Sequence, residues 1–505
     1  MFEPSFDTFQ SAYNSNTPQV VFTKLVADLE TPVSAFLKLT QDEDYSFLFE
    51  SVEGGSVRGR YSIIGCQPDI IWRSNDQRVE INTTPQKDLN AFKPVKGNTL
   101  EALRDLLKDS KIDLPKHLPP MAAGVFGFMG YDTVRLIEHL PDESPDPVGL
   151  PDSLMLRPTL IIVFDAVKNE LIAVTPVRPE KRLSAKTAYL RAKDRLTTVI
   201  DRLDELLPHT MSIDVDQLVL PEVTSNTSPQ EYMKIVRAAK KYIAAGDIFQ
   251  VVLSQRFSTQ FPLEPFALYR ALRRTNPSPF LFYLNMSSFS VIGSSPEILV
   301  RSRDGEVTMR PIAGTRARGE TEEQDIALEK ELLADKKERA EHLMLLDLGR
   351  NDVGRVATVG SVNVTDSFFI ERYSQVMHIV SNVIGKLDAK KYDTIDALMA
   401  GFPAGTVSGA PKVRAMEIID ELEKDKRGIY AGCVGYFSAN GDMDSCIVLR
   451  TAILKDGVMH VQSGAGIVAD SVPKKEQAEC LNKAKALFRA AEEAVHFALN
   501  GRRGQ

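Results

Sequence analysis

The sequence predicts an α+β fold, mixed α/β in its periodicities, and three observations carry that reading. Up to about residue 205, short apolar runs alternate with turn signals, the pattern of strands in a sheet. After residue 228, strand-like runs alternate with longer stretches of helical period. Between them, residues 208–227 are polar and turn-rich and read as a junction. The expected regions are therefore 1–207, 208–227 and 228–505. Periodicity alone does not give the strand order.

In chain order, strands are expected at Tyr45–Phe49, Tyr61–Ile64, Gly124–Phe128 and Thr159–Phe164. An acidic, Pro-rich loop follows at Pro141–Asp152, and a charged helix at about Lys186–Leu206. The next helix has complete end signals. Ser228 can cap it, Pro229 takes the first helical position, Glu231 completes a capping box, and Gly246 can end it. Tyr232, Ile235, Val236, Ala239, Tyr242 and Ile243 form its apolar stripe. Further strands are expected at Ile248–Arg256, Phe280–Met286, Phe289–Ser294, Val376–Val383, Ala431–Ser438, Cys446–Leu454 and Val458–Ser463. Helices are expected near Pro265–Arg273, Ile326–Asp347, Thr394–Met399, Val413–Glu421 and Lys474–Ala498.

Composition narrows the function. The chain has 505 residues, 43% hydrophobic and 26% charged, enough to bury a sizeable core. A net charge of -7 without a basic block argues against nucleic acid as the main partner. Cys66, Cys433, Cys446 and Cys480 form no C-x-x-C pair and no zinc spacing, so they read as reduced thiols. The opening MFEPSFDTFQSAYN lacks the basic and apolar parts of a secretory signal, and no apolar run is long enough to span a bilayer. A cytoplasmic protein with no membrane partner is expected.

Several constellations can carry chemistry. Glu338 and Glu341 lie three residues apart on one expected helix, and Glu476 and Glu479 on another. Such pairs share a helix face, and two faces meeting across a cleft make an all-oxygen Mg²⁺ site. The alternative is a solvated acidic face. The Gly-rich stretch Gly401–Lys412 lacks the Walker spacing, yet its backbone and Thr406 can approach an anion. Ser463–Gly466 is a second small-residue loop. Arg450, within an expected strand, needs either an anionic ligand or an internal salt bridge. His378 in an apolar strand is an acid–base candidate or a hydrogen-bonded core residue.

Taken in order, GDIFQVVLSQ, SSPE, PIAGTRARG, EHLMLLDLGRND, QVMHIVSNV, GTVSGAPK, YAGCVGYFS, CIVLRTA, QSGAGIVADS and the last E-x-x-E resemble the chorismate-utilising enzymes over residues 228–500. FESVEGGSVRGRYSIIG resembles their first domain. The resemblance is strongest to the anthranilate-forming branch. It implies two β-sheets packed together with helices outside, preceded by a related N-terminal regulatory region. It implies Mg²⁺ on Glu341 and Glu479, supported by Glu338 and Glu476. It implies that Arg450, Tyr430 and the Gly464–Ala465–Gly466 segment hold the enolpyruvyl end of chorismate. Gly314, Thr315 and Thr406 would line the ring, with His378, Glu297 and Glu338 as catalytic groups.

Two positions bear on the branch. Water-using relatives place a lysine where this chain has Gln250, and the aminodeoxychorismate-forming branch typically has PIKGT where Ala313 stands here. Both favour ammonia as the nucleophile. No G-x-C-x-G turn surrounds a cysteine, so ammonia is expected from solution or from a separate glutamine amidotransferase subunit. Glu50-Ser51 and Asn276-Pro277-Ser278-Pro279-Phe280 resemble the family's L-tryptophan inhibitor site. The competing readings are the aminodeoxychorismate-forming branch, a non-catalytic regulatory relative, and a Mg²⁺-dependent phosphate enzyme. The last requires Lys and Arg near the acidic pairs, and only Lys412 and Arg414 are in view.

Overall fold

The computed structural model describes residues 1–53, 57–142, 144–207, 222–373 and 376–500. Most of the expected junction, 208–221, lies outside the described residues. Its end, Thr224–Ser225, is a short strand on Phe257 and Ser258.

Two long strands organise the sheets, Val57–Asn75 and Ser153–Asp165. They pair antiparallel from Tyr61 opposite Asp165 to Ser74 opposite Ser153, with a register shift between Pro68 and Ile70. A bulge of this kind bends a strand and carries it from one sheet into the next. At one end, Tyr45–Glu53 joins Val57–Asn75. The sheet then continues through Phe280–Met286, Phe289–Ser295, Thr451–Lys455, Val458–Ile467 and Gln250–Gln260. At the other end, Gly124–Met129 joins Ser153–Asp165. That sheet continues through Cys433–Ser438, Met443–Ile447, Ile298–Arg303, Glu306–Met309 and Val376–Lys386. Strand pairing thus joins the two expected regions at Glu50 opposite Leu281 and at Gly127 opposite Gly435.

An apolar layer fills the space between the sheets. Phe47, Phe282 and Val291 come from one side, and Phe126, Val434 and Cys446 from the other. The Phe47 and Phe126 rings stack with centroids 4.6 Å apart. Truncating a fully buried ring here costs about 3–5 kcal/mol. Helices cover the outside: Ala185–Asp204, Pro265–Thr275 and Pro473–Asn500 on one sheet, Lys336–Gly354 and Thr394–Gly401 on the other. This is the expected α+β architecture of two sheets with helices outside. No helix among the described residues is long and apolar enough to cross a membrane.

The Pro229–Ala245 helix has the expected ends: Ser228 and Glu231 form a capping box, and Gly246 is left-handed at φ 87°. Two expectations are corrected. The helix expected over Ile326–Asp347 is two helices, Glu322–Ala334 and Lys336–Gly354. Asp335 separates them, its carboxylate accepting from the Lys337 and Glu338 amides at 2.9 and 3.3 Å. The strand expected over Cys446–Leu454 is also two, Met443–Ile447 and Thr451–Lys455. The chain turns at Arg450, which is left-handed at φ 49°. Periodicity missed the helices Phe6–Asn14, Pro32–Leu39 and Thr99–Asp109 and the strand Asn363–Arg372.

Candidate active site

Glu338 and Glu476 sit in the first turns of their helices, Lys336–Gly354 and Pro473–Asn500, with Glu341 and Glu479 one turn further along. There the positive end of the helix dipole favours carboxylates. The break at Asp335 is what puts Glu338 and Glu341 at such an end. All four glutamates line one cavity of about 540 Å³. Their partners differ. Glu338 faces Arg316 at 3.4 Å, and Glu479 pairs with Lys483 at 2.8 Å. Glu341 and Glu476 make no ion pair among the described residues; Gln250 Nε2 donates to Glu341 at 3.3 Å. Burial, then the nearby Glu338, pushes the Glu341 carboxyl up from its ordinary range. Burial does the same at Glu476.

No three His, Cys, Asp or Glu side chains among the described residues stand close enough to hold an ion by themselves. The donor set nonetheless fits Mg²⁺. That ion uses one or two carboxylates and keeps several waters, so it needs no closed protein cage. Lys337 offsets part of the charge of Glu341 and Glu476, and such a cation would meet the rest.

Arg450 lines the same cavity. Its guanidinium makes no ion pair among the described residues, and burial lowers its pKa. The internal salt bridge weighed from sequence is therefore absent there. A half-buried cation without a partner favours an anionic ligand beside it. Tyr430 and Gly464 stand beside it, and a methyl group on Gly464 would lie 3.1 Å from the Tyr430 hydroxyl. A methyl group on Gly466 would lie 2.5 Å from Gln250 Nε2, so the end of that side chain would have to move aside. Ala465, expected in the site, does not line the cavity; it packs into the apolar core.

The acid–base candidates also line this cavity. The Glu297 carboxyl is pushed up to about 8 by burial, although Thr406 Oγ1 donates to it at 3.3 Å. It is a protonated acid at neutral pH. Burial lowers His378 to about 4, so its ring is neutral. Its Nδ1 lies 2.9 Å from the Gly314 carbonyl and 3.1 Å from Thr315 Oγ1. Nδ1 must donate to that carbonyl, which leaves Nε2 as a base. Gly314, at φ 66°, brings this strand to the glutamates: a Cβ there would lie 3.2 Å from Glu338 Oε2.

A model of the chorismate binding enzymes matches residues 67–489 of this sequence. The chain belongs to that family. It is 56% identical over 495 residues to anthranilate synthase component 1 of Cereibacter sphaeroides, with 98% of each chain covered. It is 46% identical to that of Acetivibrio thermocellus, covering 98% of this chain and 99% of the relative. The structure of anthranilate synthase component I from Streptococcus pneumoniae matches with a TM-score of 0.75 at 36% identity, covering 92% of this chain and 99% of that one. The menaquinone-specific isochorismate synthase of Escherichia coli, at TM-score 0.70 and 20% identity, shares the fold.

Within this family member, the cations near the acidic pairs differ from those expected. Lys412 is bound to Asp352 and Arg414 to Asp247 and Glu417, away from the cavity. Lys337 and Lys483 line it instead. Lys483 was legible, since it stands four residues after Glu479 on one helix face.

The residues expected to hold tryptophan divide. Glu50, Ser51, Pro279 and Phe280 line a second cavity of about 490 Å³ between the sheets. Glu50, Ser51 and Pro277 also line a smaller one of about 260 Å³. Asn276 and Ser278 line neither. The Glu50 carboxylate accepts from Tyr269 at 2.6 Å and Arg273 at 3.0 Å. Glu50 and Ser51 thus belong to a bulged strand, where the register shifts between Glu50 and Val52. Phe49 lines the second cavity without filling it.

Proposed function

We propose that this chain converts chorismate and ammonia to anthranilate and pyruvate, as the first step of tryptophan biosynthesis in the cytoplasm. The observation that carries the reading is Arg450, without an ion pair among the described residues, lining one cavity with four glutamates, with Gln250 in place of a water-activating lysine and Ala313 in place of a nucleophilic one. Arg450 holds the enolpyruvyl carboxylate, with Tyr430 and the backbone at Gly464 and Gly466. Gly314, Thr315 and Thr406 line the ring. Glu341 and Glu479 would hold Mg²⁺, with Glu338 and Glu476 in support. When bound, the ion supplies Lewis-acid polarisation of the C4 hydroxyl and a seat for the ring carboxylate.

Ammonia forms the bond to C2 as the ring double bond shifts and the C4–O bond breaks; protonated Glu297 gives the leaving oxygen its proton to form water, and the new ammonium group loses its extra proton to Glu297 or solvent. His378 Nε2 then takes the C2 proton as the ring becomes aromatic. The enolpyruvyl C–O bond breaks, and a proton reaches its methylene carbon to complete pyruvate.

Ammonia is delivered by a separate glutamine amidotransferase subunit. Residues 1–207 contribute Glu50 and Ser51 to a site for L-tryptophan as feedback inhibitor, completed by Pro279 and Phe280, and residues 228–505 carry the chemistry. The test mixes the pure chain with chorismate, Mg²⁺ and ammonium and follows fluorescence and pyruvate. Fluorescent anthranilate with equimolar pyruvate is expected, and glutamine should replace ammonium only when the partner is added. A product that keeps its enolpyruvyl group would overturn the reading in favour of the aminodeoxychorismate-forming branch.

A further inference from the structure

The two large cavities share a wall: Pro296 and Ile312 line both. Beside that wall stands Tyr373, a lining residue of the second cavity. Its ring meets the His378 imidazole edge-on, with centroids 5.5 Å apart and planes at 63°. Its hydroxyl donates to Glu371 Oε2 at 2.8 Å. Glu371 is ion-paired with Arg310, and both line the second cavity. Glu371 is also the cross-strand neighbour of His378. The Tyr373 backbone is anchored separately, its carbonyl accepting from Arg318 Nη1 at 2.7 Å. The side chain of Tyr373 thus connects a charge pair in one cavity to the imidazole in the other.

We infer that Tyr373 is a positioning residue for His378, and that an anionic occupant of the second cavity acts on the catalytic cavity through it. A carboxylate arriving near Arg310 competes with Glu371. Glu371 then no longer fixes the tyrosine hydroxyl, and the ring loses its hold on the imidazole, whose contacts at Gly314 and Thr315 hold only its Nδ1 edge and leave the Nε2 edge free to tilt. Such coupling is reciprocal: whatever factor the occupant imposes on chorismate binding, chorismate imposes on the occupant. The inference rests on the second cavity being a site for tryptophan, whose carboxylate supplies the anion.

The test compares wild type, Tyr373→Phe and Tyr373→Ala in full-length protein. Tyr373→Phe keeps the ring and loses the bond to Glu371. It should lower kcat by about 3- to 10-fold with KM for chorismate within about twofold, since the lost bond acts on the reacting groups only at one remove, through the ring that orients His378. Tyr373→Ala should lower kcat further, so that Phe counts as partial rescue. Calorimetry should find tryptophan bound by Tyr373→Phe as by wild type, while its inhibition weakens at least about fivefold, the lower range of ordinary coupling. Wild-type kcat in both variants overturns the positioning role. Undiminished inhibition in Tyr373→Phe overturns the coupling. If wild type binds no tryptophan, the regulatory site fails and the coupling with it, and kcat alone then decides the positioning role.

Discussion

The catalytic and second cavities are similar in size, about 540 and 490 Å³, and share a wall, yet they treat charge in opposite ways. In the second, the arginines already have partners: Arg60 with Asp165, Arg301 and Arg303 with Asp444, Arg310 with Glu371. In the first, Arg450, Glu341 and Glu476 make no ion pair among the described residues. These groups are half-buried and lack partners, so the catalytic cavity favours charged ligands. The second cavity has no such preference. A ligand there must exchange one ion pair for another, which limits its affinity and suits a graded regulator.

The largest effect on this comparison should come from Arg450. Arg450→Ala should lower kcat/KM for chorismate by about 10²- to 10³-fold, the loss of about 3–4 kcal/mol expected for a desolvated charge pair made on binding. Near-normal kcat/KM in that variant would make Arg450 a structural residue and remove the contrast between the cavities. Glu341→Gln should abolish Mg²⁺-dependent turnover. It should not lower the melting temperature, because the buried carboxyl already resists ionisation and a neutral amide relieves that cost. Retained activity with ordinary Mg²⁺ dependence, or a collapsed fold, would defeat the assignment.

An intermediate effect concerns pH. Glu297 holds its proton up to about 8, so the acid is lost as pH rises through that value. The rate per free ammonia should fall about tenfold per unit above it. Below it, no acid limb is expected until His378 gains a proton near 4. Glu297→Gln should lower kcat and flatten the alkaline limb. A wild-type profile still rising at about pH 9, once corrected for free ammonia, would exclude Glu297 as the proton donor.

How far these features were legible follows from their range. The Ser228 capping box and the two glutamate pairs are local patterns of three or four residues, and the structure keeps both. The Asp335 break was hidden because the residues around it, ADKKERAE, include no Gly or Pro and are mostly good helix formers; only its carboxylate on the Lys337 and Glu338 amides ends one helix and starts the next. Arg450 sits in an apolar run that reads as one strand, and its turn is imposed by the sheets it joins. That four glutamates and Arg450 line one cavity is a tertiary fact, which the order of family motifs implied and local pattern did not. The Tyr373–Glu371–Arg310 connection had no signal: each residue is ordinary in its own strand or turn.

The smallest effect on uninhibited turnover, and the finest probe of the comparison, is Ser51→Leu. Ser51 lies at the bulge after Glu50 and lines the second cavity but not the catalytic one. Its hydroxyl donates to the Tyr61 carbonyl at 3.4 Å, and a Cβ on Gly59 would stand only 2.0 Å from that oxygen. The facing strand therefore leaves no room, and a leucine must turn into the cavity. It would occupy ligand space and remove one polar contact while Tyr269 and Arg273 continue to hold Glu50. Uninhibited kcat should stay within about twofold of wild type. Wild type should lose activity at micromolar to millimolar tryptophan, and the variant should need at least about tenfold more, a loss of about 1.4 kcal/mol. Calorimetry separates this variant from Tyr373→Phe: Ser51→Leu should lose tryptophan binding itself, whereas Tyr373→Phe should bind and fail to respond. A wild-type enzyme indifferent to tryptophan would show that the paired arginines of the second cavity serve the fold alone.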